Sequence, residues 1–423
     1  MAIKNQPSTL TPKLRFPDFK TEGAWAPRPL DELCERILEK VGDVKLTPVS
    51  ITAGRGFVSQ AEKFGRDISG AQYKNYIRLR RGEFAYNRGN STLYPQGCVY
   101  QLKEFAEAAA SNAFICFRLK DGNAPGFFRG LFEKNAHGPQ LLKFLTSGAR
   151  SDGLLNISAD EFFSVSLPIP PDYAEQRKIA ACLTSLDELL AAEGRKLEGL
   201  RAHKKGLIQK LFPRQGEARP RLRFPEFRDA GEWEAKALGD IAKISTGTTP
   251  LRANPEFYEG GTIPWLKTTD LNNSFIEETA ECITPRARAT VNPVGSVIVA
   301  MYGGFKQIGR TGLLKIPAAT NQALSVLRTR EDEVLPVYLL SWLNAKVDDW
   351  KRIAISSRKD PNITGSDVAR FPIQLPSPAE QQRIAACLSS LDALIAAASR
   401  KLDGLRVHKK GLMQQLFPSP EGE

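Results

Sequence analysis

Apolar residues recur at alternating spacings of four and three along two stretches of the chain. The first series is Ile179, Leu183, Leu186, Leu190, Leu197, Leu200, Leu207 and Leu211. The second is Ile384, Leu388, Leu391, Ile395, Leu402, Leu405, Leu412 and Leu416. Polar or small residues interrupt both at matching places, Glu193 and Lys204 in one, Ala398 and Lys409 in the other. This heptad-like pattern predicts two amphipathic helices, each with a narrow apolar seam. Their starts are marked by "PPDYAEQ" and "PSPAEQ", their stops by Pro213 and Pro418, which cannot continue a helix. At 1.5 Å per residue, about 37 residues span about 55 Å.

The two stretches are copies of one segment. Residues 175–213 align with 380–418 without a gap, identical at most positions, and both end in "HKKGL" followed by "LFP". A shorter motif also repeats. "LRFPDF" at Leu14 to Phe19 returns as "LRFPEF" at Leu222 to Phe227, after which Trp25 matches Trp233 and Leu30 matches Leu238. The chain therefore reads as a tandem duplication. Its period is far longer than that of a solenoid or propeller repeat. The intervening stretches, roughly 31–165 and 239–370, are similar in length but not obviously in sequence. The expected organisation is a globular domain over 1–170, a repeated helix over 171–213, a second globular domain over 214–375, and the second repeated helix with a tail over 376–423.

Helices this long have no globular neighbour able to bury the whole seam except each other. Parallel pairing would set Lys204 against Lys409, whereas antiparallel pairing separates them, so antiparallel pairing is expected. Gly194, Gly199 and Gly404 are poor helix formers and imply either close backbone approach or local bending. The predicted fold class is α/β (α+β): two globular domains separated by two long antiparallel, coiled-coil-like helices, related by a pseudo-twofold axis.

Composition narrows the partners. The 423 residues carry 59 basic and 47 acidic side chains, a formal charge of +12. That excess favours a polyanionic partner, most simply nucleic acid. No window is apolar enough to span a bilayer, and "MAIKNQPSTLTPK" lacks the apolar core of a signal peptide. The six cysteines are scattered singly, without a CxxC. A reduced, cytoplasmic protein with no disulfide framework, no zinc site and no membrane association is expected.

Basic and amide side chains cluster on predicted loops and strands of both variable domains. In the first, "YKNYIRLRRGEFAYNRGNS" reads as a strand, a turn at Gly82, a second strand and a polar loop. It gathers Lys74, Tyr76, Arg78, Arg80, Arg81, Tyr86, Asn87, Arg88 and Asn90. A Gly/Ser loop adds Arg150. In the second, "STGTTP" supplies Thr248 and Thr249, and "WLKTTDLNN" supplies Lys267, Thr268 and Thr269. "GSVIVAMYGGFKQIGRTG" reads as a buried strand running into a Gly-rich loop with Tyr302, Lys306, Gln307 and Arg310; "SSRKDPNITGSD" holds Arg358 and Lys359. Arg reads guanine bidentately, Asn reads adenine, and Lys and Arg neutralise phosphates. The same residues on a solvated strand pair would look alike in sequence.

Chemistry-bearing constellations are absent. The only histidines are His137, His203 and His408, the last two being repeat equivalents beside the seam. There is no HExxH, GxSxG or P-loop pattern. "NPEF" at 254–257 carries Glu256 where an amino-methyltransferase motif needs a second proline. Asp18 with Asp43-Val44-Lys45 only loosely follows a nuclease pattern, and the repeat copy of Asp18 is Glu226. No catalytic residue and no metal ligand is assigned.

Taken together, the two "LRFP[DE]F…W" openings, "IPWLKTTDL", "GSVIVAMYGG", "TNQALSVLR" and the two proline-led "EQ(R/Q)(K/R)IA…LD" helices resemble the specificity subunits of type I restriction-modification systems. The resemblance covers nearly the whole chain, and the first variable domain resembles a different recognition class from the second. It implies two α/β target-recognition domains, each reading one half of a bipartite, asymmetric site on double-stranded DNA, held apart by antiparallel helices. It further implies a non-catalytic chain that recruits two modification subunits and a restriction/translocase subunit. S-adenosylmethionine, ATP and Mg are expected on those partners, and no cofactor on this chain.

Overall fold

The computed structural model describes residues 10–89, 94–145, 155–330, 332–355 and 362–418. Two compact units emerge that cut across the order of the sequence. One is drawn from residues 1–194 and 400–423, the other from 195–399.

In the first unit, strands β1 (Ala26–Pro29) and β10 (Ser166–Ile169) pair antiparallel at the base. Between them lie β2 (Cys34–Arg36), β3 (Pro48–Thr52), β4 (Gly56–Ser59), β5 (Ile77–Arg80), β6 (Phe84–Asn87), β7 (Cys98–Gln101), β8 (Glu107–Ala110) and β9 (Ile115–Leu119). They form two four-stranded sheets, ordered β2-β9-β6-β7 and β4-β3-β8-β5. The expected turn at Gly82 exists, with φ of 93°. It does not make a hairpin, because β5 joins one sheet and β6 the other.

The second unit repeats this plan. Its base pair is β11 (Glu234–Ala237) with β21 (Pro372–Leu375). One sheet contains β12 (Ala242–Thr246), β14 (Ser274–Ile276), β17 (Val297–Ala300), β18 (Thr311–Leu314) and β20 (Leu324–Thr329), ordered β12-β20-β17-β18-β14. The other contains β13 (Ile263–Leu266), β15 (Glu281–Ile283), β16 (Val291–Asn292) and β19 (Ala318–Thr320), ordered β15-β13-β19-β16. In each unit the outer sheet is centred on one parallel pair, β3 with β8 and β13 with β19. The dissimilar variable stretches thus share one strand topology, with β14 as an addition to the second.

Period-two alternation explains how each inner sheet serves two cores. Val297 and Val299 point into the core that holds the helix Pro336–Ala345, while Ile298 and Ala300 point into the core between the sheets. Along β6, Phe84 and Tyr86 enter the helix-side core and Ala85 the inter-sheet core. A strand buried on both faces reads as a nearly continuous apolar run.

The repeated segments are helices Tyr173–Leu211 and Pro378–Leu416, 39 residues each. Each is divided between the units. In the first unit, Ile179 and Leu183 share a core with Leu412, Met413 and Leu416. In the second, Leu207 and Leu211 share one with Ile384 and Leu388. The start of one helix therefore lies by the end of the other in both units, the antiparallel arrangement expected. All sixteen seam residues are buried or half-buried. Lys409 bonds Asp187 at 2.7 Å and also Glu133, and its repeat equivalent Lys204 bonds Asp392. Each seam lysine thus meets an aspartate of the opposite helix, and the two cross-links are copies of one another. A Cβ placed on Gly194, Gly199 or Gly404 would meet nothing within 4 Å, so these glycines do not mark close backbone approach.

Candidate nucleic-acid interface

In the second unit, loops following β12, β13, β17 and β19 converge. The Thr248 amide donates to the Thr320 carbonyl at 2.9 Å, and the Asn321 amide to the Leu266 carbonyl at 3.0 Å. The Met301 amide donates to the Ala323 carbonyl at 2.8 Å, and the Ile363 amide to the Met301 carbonyl at 3.0 Å. Backbone bonds between loops fix such a surface more firmly than side chains alone. Gly247 is what allows the first junction: a Cβ there would stand 1.9 Å from the Thr320 carbonyl oxygen. The sequence reading passed over Gly247, although its place between Thr246 and Thr248 was the available signal.

Thr248, Thr249, Thr269, Tyr302 and Lys306 are exposed on these loops, and Lys267, Thr268, Gln307 and Arg310 are half-buried. Lys267 Nζ bonds Glu281 Oε1 at 2.7 Å, and Arg252 Nη1 bonds Glu281 Oε2 at 2.7 Å. Arg252, then Lys267, holds the Glu281 carboxyl down at about 2. One carboxylate thus bridges two cations, and the Asp270 carboxylate, which accepts from the Lys267 amide at 2.7 Å, lies beside them. Arg310 donates to the Leu271 carbonyl at 3.4 Å, which ties its guanidinium to the neighbouring loop.

The first unit treats its expected residues less evenly. Tyr76 and Tyr86 are core residues, contrary to the expectation of an exposed reading surface. Tyr76 packs with Val41 and Ala109, its hydroxyl accepting from Gln60. Tyr86 stacks on Phe162 at 4.5 Å and donates to the Gln96 carbonyl. The cause is strand periodicity: β6 is central, so its tyrosine faces a core. On the edge strand β5, Arg78 makes a two-pronged bond to Glu107 and Arg80 one to Glu39. Lys74 is exposed and pairs with Asp43. Arg81 is exposed, its Nε 3.5 Å from the Phe105 carbonyl. The Asn87 side chain accepts from the Gly89 amide at 2.9 Å. Arg88 donates to the carbonyls of Ala113 and Ile157, bracing the loop ends after β6 and β8. By topology β6 corresponds to β17, so Asn87 and Arg88 start the loop equivalent to the one carrying Tyr302. Asn90, Arg150, Arg358 and Lys359 lie outside the described residues.

His137 has no place in this surface. It is fully buried between Tyr86 and Phe132, with ring centroids 6.2 and 5.5 Å away. Desolvation pushes its pKa down to about 4. A lowered imidazole pKa means that the stabilising contribution is complete above the ordinary value near 6.5 and is lost as pH falls towards 4. Acidifying from pH 7 to 4.5 is expected to destabilise the first unit by about 2 kcal/mol through this group. Denaturant titrations at both pH values should show a smaller loss in His137→Leu. An equal loss in both proteins would refute the assignment. His203 and His408 are exposed on the long helices.

The repeated motifs turn out to be clamps. Arg15 bonds Glu175 through Nε and Nη2, both at 2.7 Å, and Arg223 bonds Glu380 in the same way. Gln176 accepts from the Ala124 amide at the start of helix Pro125–Glu133. Gln381 accepts likewise from Leu335 at the start of Pro336–Ala345. These side chains satisfy helix-terminal amides that would otherwise be orphaned. Lys134 donates to the carbonyl of Phe417, and Lys346 to that of Pro213, near the ends of the long helices, where a cation is favoured. The "EQ" of both copies therefore joins helix to domain. Its identity in both copies was the signal, and the sequence reading took it only as a helix start.

This duplicated framework has known relatives. Residues 230–406 match the family model described as the type I restriction modification DNA specificity domain. Over those residues the chain is similar to the specificity subunits of type I restriction-modification systems. It is 28% identical over 203 residues to the EcoR124I/EcoR124II specificity subunit of Escherichia coli, covering 45% of this chain and 50% of that one. It is 30% identical over 172 residues to the MjaIX specificity subunit of Methanocaldococcus jannaschii, covering 39% of each. The matched region thus spans half or less of those relatives' length. The fold is similar to that of the S subunit from M. genitalium, with a TM-score of 0.62 at 16% identity over 97% of this chain and 100% of that one. It is also similar to a chain in a structure concerning assembly of the type I R-M system, with a TM-score of 0.56 at 18% identity over 93% and 98%. Among the described residues, no group of three His, Cys, Asp or Glu could hold a metal ion. No described helix is long and apolar enough to cross a membrane.

Proposed function

We propose that each unit reads one half of a bipartite DNA site, and that the paired helices set the separation of the halves and dock the modification subunits. The observation that carries this reading is one strand topology furnished twice with unlike loops at the same strand ends. A shared scaffold with divergent loops is how two different sequences can be read by one architecture. The positive balance of the chain supports a phosphate-facing role, as does the name of the matched domain. In this reading the chain itself performs no chemistry. Adenine methylation, cleavage and the associated S-adenosylmethionine, ATP and Mg belong to the modification and restriction/translocase subunits.

Mapping methylated adenines in cells carrying the complete system, before and after exchanging residues 239–370 for those of another family member, tests the reading. One half of the site should change and the other stay. Change in both halves, or in neither, would sink it. Within the second unit, Lys267→Ala is expected to weaken binding roughly tenfold, the effect of one lost contact to a base or phosphate. The first half-site's sequence should be unaltered, as read by site selection from randomised duplexes. An effect confined to the first half-site would contradict the division of labour.

A further inference from the structure

We infer that the loop after β17 is an aromatic wedge: Phe305, supported by Tyr302, enters the DNA duplex at one base step of the second half-site and unstacks it. This rests on the proposed DNA-reading role and adds a mode of contact that polar loops alone would not supply.

Three observations and one general property of apolar side chains carry the inference. Phe305 and Tyr302 are 47% and 41% exposed, whereas Met301 and Ile308 at the roots of the same loop are 3% and 1% exposed. Folding therefore buries the ends of the loop and leaves its two aromatic rings in water, which is unfavourable unless a partner covers them.

The loop is also held in shape before any partner arrives. Gly309 donates to the Ala300 carbonyl at 3.0 Å, and Gln307 and Ile308 both donate to the Gly304 carbonyl, at 2.9 and 3.1 Å. Gly303 and Gly304 have φ of 109° and 77°, a conformation that side-chain-bearing residues rarely adopt. A Cβ on Gly309 would come within 2.9 Å of Trp350. An ordered loop loses little freedom on binding.

The surroundings suit a polyanion rather than an apolar protein surface. Lys306 is exposed next to Phe305, and a Cβ on Gly303 would lie 3.6 Å from Thr268 Oγ1, which places the threonine loop alongside. Lys267 and Arg252, joined through Glu281, bring two further cationic side chains to the neighbouring loops. Finally, apolar side chains are known wedges between base pairs, prying them apart and kinking the duplex. The step entered would be a flexible pyrimidine–purine step, so the wedge would read deformability rather than base edges.

The test uses the purified full-length chain and a duplex carrying its methylated site. 2-Aminopurine is placed at each position of the second half-site in turn. Emission should rise several-fold at one step on binding. Phe305→Ala should abolish that rise and weaken binding about tenfold, the scale of one lost base–aromatic contact, while leaving the salt dependence unchanged because no charge is removed. Phe305→Trp should restore the rise. Equal melting temperatures would show that these exposed-site variants remain folded. Specific binding without brightening at any position overturns the wedge and leaves the reading role standing. So does a Phe305→Ala protein that binds the duplex as tightly as the wild type. Absence of sequence-specific binding by the wild type overturns both.

Discussion

Alanine at Glu380 is expected to cost the second unit about 3–5 kcal/mol, the range for stranding one member of a buried ion pair. Glu380 is 1% exposed and takes both prongs of the Arg223 guanidinium at 2.7 Å. Arg223 also donates to the carbonyls of Ala230 and Gly231, so it cannot swing to solvent without breaking those bonds. Removing the carboxylate strands a guanidinium that is only 9% exposed without its counter-charge. The Arg223→Met, Glu380→Leu double variant should recover much of the loss, since an apolar pair avoids the desolvation penalty altogether. Chemical denaturation of wild type, single and double variants decides it. A single variant within 1 kcal/mol of wild type would show that the clamp contributes little. Arg406→Ala is the useful control, because that side chain and its partner Asp403 are both largely exposed and such pairs contribute about 0–1 kcal/mol.

A chain reduced to residues 214–423 is expected to form a dimer. Its globular part needs a second helix to cover Ile384 and Leu388, a role played in the intact chain by Leu207 and Leu211. The only such surface left is the end of another copy's Pro378–Leu416 helix, whose Leu412 and Leu416 occupy the repeat-equivalent positions. Lys409 of one copy would then meet Asp392 of the other, twice, reproducing the cross-link made by Lys204 and Asp392. Phe417 would replace Phe212 against Trp233, Tyr338 and Trp342. Light scattering should give twice the fragment mass, and Leu388→Asp should abolish both the dimer and the fold. A stable monomer would show that the helix from the first half is dispensable. Glu193 marks the limit of the equivalence: it bonds Lys401, and its counterpart is Ala398, so the fragment dimer lacks that bond.

The helices were legible because their seam repeats over many turns and is written twice. Their direction was legible from a single residue type, since two lysines at one seam position forbid parallel pairing. The strand topology shared by the variable stretches was not legible, because it depends on pairings between distant segments such as β13 with β19, while the side chains that differ between the halves mask it. Tyr76, Tyr86 and Arg88 show why burial in the first unit was not legible. Tyrosine and arginine look alike on a reading loop, in a core with one hydrogen bond, and in a brace between carbonyls. Only the position of β6 in the middle of its sheet separates these cases. In the second half the Thr-rich and Gly-rich loops were correctly placed at strand ends, and Phe305 was passed over because an apolar residue beside glycines reads as a buried turn.

Phe417 ends the second long helix, yet its ring packs against Trp25 and Phe127 of the first unit. On the ribosome, that ring is made about 250 residues after the last strand of the first unit, β10, which ends at Ile169, a delay of roughly 12–50 s at ordinary elongation rates. For that interval Trp25, Phe127 and the seam positions Ile179 and Leu183 are exposed to the cell. The duplicated design therefore ties the completion of the earlier-made unit to the last turn of the second long helix, and a message cut short before that turn leaves the first unit without its closing ring.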